Sequence, residues 1–218
     1  MNSAPPEFVE ELSDDSLWVT SYADLISALL AVLVLMASFS KVDIEAFDAV
    51  QRARNDETVE TLKDMHQRFI KILEANSLTE QVELKLSSEG LDVNFNSVML
   101  FESASSKLNL ELLDKEVKPI VSEIAKTGKT RYIDIVGHSD DVPLFANGKS
   151  NWNLSSDRAA ALHEYMLNLG MPEHGSRLIS YAHTQPIMEV ESLKGELLKN
   201  ARELNRRVSV NIGFLKPN

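Results

Sequence analysis

The pattern of apolar and polar residues divides the chain into a long apolar run, a charged middle part and a region of alternating strands and helices. The run from Leu17 to Phe39 contains 23 residues, and Asp24 is its one acidic or basic side chain. A helix rises about 1.5 Å per residue, so this run is long enough to cross a hydrocarbon core of roughly 30 Å. The pattern therefore predicts a transmembrane helix over residues 17–40, preceded by an acidic tail over residues 1–16.

Residues 41–81 are charged, and their apolar positions follow helical spacing, which we interpret as a short amphipathic segment and a linker helix. From residue 82 onward, segments with strand-like alternation are interspersed with segments of helical periodicity. This order is typical of a sheet covered by helices. The predicted fold class is α+β: one N-terminal transmembrane helix, a linker helix, and an α/β sandwich over residues 82–218. In this sandwich a mixed sheet carries helices on one face.

The predicted elements of the sandwich begin with a hairpin formed by residues 82–86 and 91–95. The others are helices over Leu110–Lys126, Asn153–Leu169 and Leu193–Leu204 and strands over Tyr132–Val136, Arg177–Tyr181 and Val208–Ile212.

Composition excludes several classes of protein. The formal net charge is -11, and no basic stripe appears, which argues against a nucleic-acid partner. The absence of cysteine excludes disulfide scaffolds, thiol catalysis and cysteine-type zinc sites. A cleaved signal peptide is the alternative to a membrane anchor, but the residues before Leu17 contain no lysine or arginine, and such a peptide requires a positive start.

The carboxylate of Asp24 is costly in a bilayer and by default marks an ion pathway or a proton relay. Small and polar residues at steps of three and four share its helix face, which would let another helix approach closely. The members of this face around Asp24 that we expect to line a channel are Thr20, Ser27 and Ala31. The alternative is that Asp24 only hydrogen-bonds to neighbouring helices or reaches toward the membrane interface.

A second group of polar residues follows the strand that ends at Gly137. Asp140 lies in the turn after this strand, and Arg158 lies in the first turn of the next helix. A carboxylate suits an ammonium, and a guanidinium binds a carboxylate bidentately, so the two suit the zwitterionic end of an amino acid. The alternative is that Asp140 and Arg158 pair with each other and fasten the turn to the helix.

The run His138-Ser139-Asp140-Asp141 contains the residue types of a catalytic triad or a metal site. Neighbours on one turn cannot align as a triad, and nothing supplies the further ligands of a metal. We therefore predict no catalytic residue, no metal and no cofactor, and we expect that the protein is not an enzyme.

The segment Trp18-Val-Thr-Ser-Tyr-Ala-Asp24-Leu and the apolar run after it resemble the start of MotB-type stator subunits. The resemblance implies that Asp24 carries the permeating ion, H⁺ or Na⁺. It also implies a cytoplasmic N-terminus and a periplasmic C-terminal domain in the bacterial inner membrane. Charge alone leaves this orientation open, because the tail has no lysine or arginine and Lys41 follows the span.

Residues 82–214 resemble the OmpA-like peptidoglycan-binding domain. The resemblance rests on the strand and turn through Pro143, on Asn151-Trp-Asn-Leu-Ser-Ser-Asp-Arg158 and on Asn205-Arg-Arg-Val. It implies that Asp140 and Arg158 hold the diaminopimelate of the peptide stem. The residues that it implies around this pocket are Ser139, Asn153, Leu154 and Arg206.

Together the two resemblances imply a stator subunit of an ion-driven rotary motor that is anchored to peptidoglycan. Its expected partner is a MotA-like multi-span protein, as a pentamer around a dimer of this chain. The segment Val42–Arg54 is a candidate plug against ion leakage. The motor could drive a flagellum or belong to a Zorya-type phage-defence system. The alternative is a passive membrane-to-wall anchor of the OmpA-like class without ion transport.

Overall fold

The computed structural model describes residues 14–39, 60–87, 90–102, 105–144 and 150–215. The candidate plug Val42–Arg54 lies outside these residues. The chain divides into two compact units, residues 1–43 and residues 44–218, which are described separately here.

The first unit contains one long helix, α1, which spans Asp14–Phe39. Its stretch Trp18–Ala37 has the length and the apolar composition of a membrane span. The side chains of residues 18–37 are exposed in the single chain, as expected for a helix whose surroundings are lipid or partner helices. The predicted apolar helix is confirmed, and it begins at Asp14, before the predicted start at residue 17.

The second unit is built on a five-stranded sheet. Its strands are β1 (Val82–Ser87), β2 (Gly90–Asn96), β3 (Arg131–His138), β4 (Ser176–Ala182) and β5 (Arg207–Leu215). Their spatial order is β1-β2-β5-β3-β4. Strand β3 pairs in parallel with β4 and antiparallel with β5, and the pairs β1–β2 and β2–β5 are antiparallel. The predicted hairpin and the predicted mixed sheet are both confirmed.

Helices cover one face of this sheet. The helices of this unit are α2 (Leu62–Ala75), α3 (Ser97–Leu100), α4 (Leu110–Leu112), a π-helical turn (Leu113–Val117), α5 (Lys118–Thr127), α6 (Asn151–Asn168) and α7 (Gly195–Asn205). The segment predicted as one helix over Leu110–Lys126 therefore contains a π turn, directly before α5. Pro119 lies in the first turn of α5, where its missing N–H costs no hydrogen bond of that helix.

The core joins alternate strand residues to the apolar sides of the helices. Val93, Ile135 and Val210 are fully buried in it. Helix α2, predicted as a linker, contributes Phe69, which is also fully buried. Helix α2 therefore lies within the compact unit of residues 44–218, before the predicted domain start at residue 82, which stays a prediction.

The opposite face of the sheet is polar and contains a groove of about 430 Å³. His138 and Arg207 lie in it, and both are more than nine-tenths buried. Burial lowers the pKa of His138 to about 3, and the positive charge of Arg207 adds to this effect. His138 is therefore still neutral in the folded domain near pH 6.5, where an exposed histidine gains a proton.

We predict that this histidine makes the domain less stable in mild acid. In the unfolded chain His138 takes up a proton near pH 6.5, whereas in the folded chain it stays neutral until the pH approaches 3. As the pH falls from 6.5 toward 3, His138 should therefore lower the free energy of unfolding by about 1.4 kcal/mol per pH unit.

Denaturant titrations of the full chain in detergent micelles measure this slope, with Trp152 fluorescence as the signal in a Trp18→Phe background. The slope between pH 6.5 and 5 should flatten in His138→Gln. The matched control His174→Gln removes an exposed histidine and should keep the slope of the parent chain. An unchanged slope in His138→Gln would show that His138 does not titrate abnormally.

Candidate functional site

The site begins with a close contact between β3 and α6. A methyl group added at Gly137 would lie 2.0 Å from the carbonyl oxygen of Ser155, so only glycine allows the helix to come this near. The contact places the turn after β3 beside the first turns of α6. Asp140 and Arg158, which are far apart in sequence, therefore face one cleft.

This cleft has a volume of about 490 Å³ and is lined by four parts of the chain. They are the segment after β2, the turn after β3, the start of α6 and Arg206, which follows α7. The lining residues are Ser97, Val98, Phe101, Glu102, Ser139, Asp140, Val142, Pro143, Leu144, Asn151, Leu154, Arg158 and Arg206. Five of the six residues predicted for the pocket are among them.

Arg158 is the most deeply placed charge of the cleft, with 5% of its surface exposed. Its Nε donates to the carbonyl oxygen of Ser105 at 3.0 Å, and its guanidinium lies 5.3 Å from the ring centre of Phe101. Within the described part of the chain, no carboxylate forms an ion pair with it. Burial, together with the nearby charge of Arg206, lowers the pKa of Arg158, so an anion in the cleft would be strongly favoured.

Asp140 has a different partner from the one that sequence reasoning considered. Its Oδ2 accepts a hydrogen bond from Nη1 of Arg206 at 2.7 Å. Among the described residues, no ion pair joins Asp140 to Arg158, so the alternative that they fasten turn to helix is not what the structure shows. The cleft therefore contains the carboxylate of Asp140 and the guanidinium of Arg158, which forms no ion pair with a carboxylate among the described residues.

Asn151 holds the shape of the turn that carries Asp140. Its Nδ2 donates to the carbonyl oxygens of Asp140 and Val142, and its Oδ1 accepts from the backbone N–H of Leu144. Sequence reasoning selected Asn153 instead, which the structure places outside the lining of the cleft. Asn153 forms a capping box with Ser150 at the start of α6.

A signal for this assignment is present in the sequence. Asn151, Leu154 and Arg158 are spaced by three and four residues, which places them on one face of a helix. Asn153 lies about 160° around the helix from Asn151, by 3.6 residues per turn. The segment 97–102 carries no comparable signal, because its place beside the cleft depends on how it leaves β2.

Within the described ranges, no group of three histidine, aspartate or glutamate side chains could hold a metal ion. Ser139 donates its hydroxyl hydrogen to the carbonyl oxygen of Asp140, and Glu102 pairs with Lys107. The chemistry that the cleft offers is thus recognition of charge.

Two protein families match parts of this chain. Residues 7–56 match the family described as membrane MotB of the proton-channel complex MotA/MotB, and residues 100–196 match the OmpA family. The chain is a MotB-type stator subunit with an OmpA-like domain. One apolar helix near the N-terminus and this family fit a single-pass protein of the bacterial inner membrane.

Individual relatives agree with this MotB-type assignment. Motility protein B of Bacillus subtilis is 23% identical over 90% of this chain and 90% of its own length. The periplasmic domain of Helicobacter pylori MotB is 26% identical, with a TM-score of 0.51 over 62% of this chain and 84% of that chain. A MotB-like protein from Desulfovibrio vulgaris has the same fold, with a TM-score of 0.62 and 19% identity over 75% of this chain and 98% of that chain.

We predict that Asn151→Ala is more harmful than Asn153→Ala. The first substitution removes three partly buried hydrogen bonds, from the N–H of Leu144 and to the carbonyl oxygens of Asp140 and Val142, which should together cost about 1–3 kcal/mol of stability. The second removes a helix cap, which should cost about 1 kcal/mol. Hydrogen exchange of the Leu144 amide should accelerate in Asn151→Ala and stay unchanged in Asn153→Ala. Equal exchange in the two variants would contradict the role of Asn151.

Proposed function

We propose that this MotB-type chain conducts ions as the stator subunit of a proton- or sodium-driven rotary motor and holds the peptidoglycan stem peptide in its cleft. Asp24 carries the ion, and Asp140 and Arg158 bind the diaminopimelate. The observation on which this function chiefly rests is the charge arrangement of the cleft. A buried guanidinium that has no carboxylate partner among the described residues lies in the same cleft as a carboxylate, as a zwitterion requires.

The side-chain end of diaminopimelate carries one ammonium and one carboxylate. We propose that its carboxylate lies on Arg158, where it compensates a cation that is otherwise buried without an anion. The ammonium lies beside Asp140, whose Oδ2 already accepts from Arg206. Phe101 holds the arginine plane from behind, and Val142, Pro143, Leu144 and Leu154 contribute the apolar surface of the cleft.

Ion conduction rests on the membrane unit. Between Trp18 and Ala37, Asp24 is the one side chain that is acidic or basic, and the matching family description names a proton-channel complex. Thr20, Ser27 and Ala31 share its helix face and would line the path. Each elementary charge that crosses this path gains about 2.3 kcal/mol per 100 mV of membrane potential.

A MotA-type partner follows from the family, and the arrangement is our proposal. Five copies of the MotA-like protein surround two copies of this chain, with the N-terminus in the cytoplasm and the OmpA-like domain in the periplasm. The biological output is flagellar rotation, the use that the motility relatives favour. Val42–Arg54 is the plug that prevents leakage until the wall is bound.

Wall binding should depend on Arg158. We expect Arg158→Ala to weaken co-sedimentation of the full chain with purified sacculi by roughly tenfold or more, because a charge-assisted hydrogen bond to the ligand is lost. Arg158→Lys should also bind weakly, since an ammonium cannot replace the bidentate fork. The matched control is Arg177→Ala, which removes an exposed arginine that is paired with Asp134 far from the cleft lining. Unchanged sedimentation of Arg158→Ala, with an unchanged melting temperature, would refute the site.

Ion transport should depend on Asp24. We expect Asp24→Asn to abolish ion flux and rotation when the chain is expressed with its MotA-like partner, because the amide cannot take up or release a proton or neutralise Na⁺. Sedimentation with sacculi should remain at the level of the parent chain. A passive anchor transports no ions and would tolerate Asp24→Asn, so flux and rotation at the level of the parent chain in this variant would refute the ion-carrying role of Asp24.

A further inference from the structure

Two arginines at the end of helix α7 hold the turn after β3. Arg202 lies in the last turn of α7, and Arg206 directly follows the helix. They bind two consecutive carboxylates: Nε and Nη2 of Arg202 donate to Asp141 at 2.8 and 2.6 Å, and Arg206 donates to Asp140.

The two ion pairs differ in their relation to the cleft. Asp140 and Arg206 line it, whereas Asp141 and Arg202 do not. The Arg202–Asp141 pair uses both carboxylate oxygens, and its side chains are 31% and 35% exposed. A bidentate contact fixes direction as well as distance, so it fixes how the backbone leaves Asp140. The same contact is the main reason that the pKa of the Asp141 carboxyl lies below its usual range.

Attachment of α7 to the domain has a separate basis. The side chain of Asn205 accepts from the backbone N–H groups of Ile187 and Met188 and donates to the carbonyl oxygen of Met188. Asn205 is 2% exposed, so these bonds are protected from water. The helix therefore keeps its place without Arg202. Arg202 instead forms the ion pair with Asp141, so that Asp140 is the carboxylate with which Arg206 pairs.

We propose that Arg202 and Asp141 are a positioning pair that sets the orientation of Asp140 for the ammonium of the stem peptide, on the premise that the cleft binds diaminopimelate as proposed above. Without Arg202, the carboxylate of Asp141 competes for Arg206, and Asp140 loses the contact that holds its Oδ2. The turn then presents its carboxylate in several directions, and the ligand must restore the order at a cost in affinity.

The experiment compares the dissociation constants of the full chain in detergent micelles for two synthetic stem peptides. One contains diaminopimelate. In the other, 2-aminopimelate keeps the side-chain carboxylate and lacks the ammonium. For Arg202→Ala we expect roughly fivefold weaker binding of the diaminopimelate peptide, the upper range for one exposed ion pair. Binding of the aminopimelate peptide should be unchanged, because it makes no contact that depends on Asp140.

Controls separate a positioning role from a structural one. Arg202→Lys should lie between the parent chain and Arg202→Ala, since one ammonium can still reach Asp141. Arg177→Ala removes the corresponding fork to Asp134, and it should bind both peptides like the parent chain. The melting temperature of Arg202→Ala should stay close to that of Arg177→Ala.

The outcomes are distinguishable. Failure of the parent chain to bind the diaminopimelate peptide would refute the proposed function itself. If the parent chain binds and Arg202→Ala binds equally well, the positioning role is wrong and the site assignment stands. If Arg202→Ala loses equal affinity for both peptides, the positioning role is also wrong, because such losses would show a general disturbance of the domain.

Discussion

The contact between Gly137 and Ser155 is the constraint on which the architecture of the site depends. A side chain at residue 137 would collide with the helix backbone, so glycine lets α6 lie directly against β3. The strand end and the helix start then form two sides of one cleft. Their closeness fixes the separation of Asp140 and Arg158, because each lies within a few residues of the contact.

The electrostatic character of the cleft follows from an unequal distribution of partners. Arg202 pairs with Asp141, and Arg206 pairs with Asp140. Arg158 instead donates hydrogen bonds to a carbonyl and a hydroxyl and lies over the ring of Phe101. A buried guanidinium in this situation keeps its desolvation cost until an anion arrives. On the proposed function, the cleft is thus prepared for a carboxylate, because the polar groups that hold its shape are already hydrogen-bonded.

The strand alternation and the helical periodicity predicted most of the fold, since burial of one sheet face and one helix side imposes them. The role of α2 was missed because an amphipathic helix has the same pattern whether it covers its own domain or a partner. Five of the residues that line the cleft were predicted from the three pieces of the OmpA-like motif. The contribution of Phe101 could not be, because it depends on the path of the chain after β2. Asn153 stays a prediction, but the structure places it outside the cleft lining, whereas Asn151 lines the cleft and shares a helix face with Leu154 and Arg158.

Strand β3 connects the backbone at Glu60 with the proposed wall-binding site. At its start, buried Arg131 donates to the carbonyl oxygen of Glu60, and beyond its end lies Asp140. On the proposed function the cleft holds the wall, and tension that reaches the backbone at Glu60 passes through this contact to β3. The strand is hydrogen-bonded to β5 on one side and to β4 on the other. Force along the strand loads the bonds to both neighbours together rather than one after another. The position of β3 between two paired strands therefore suits a domain that resists the torque of a motor.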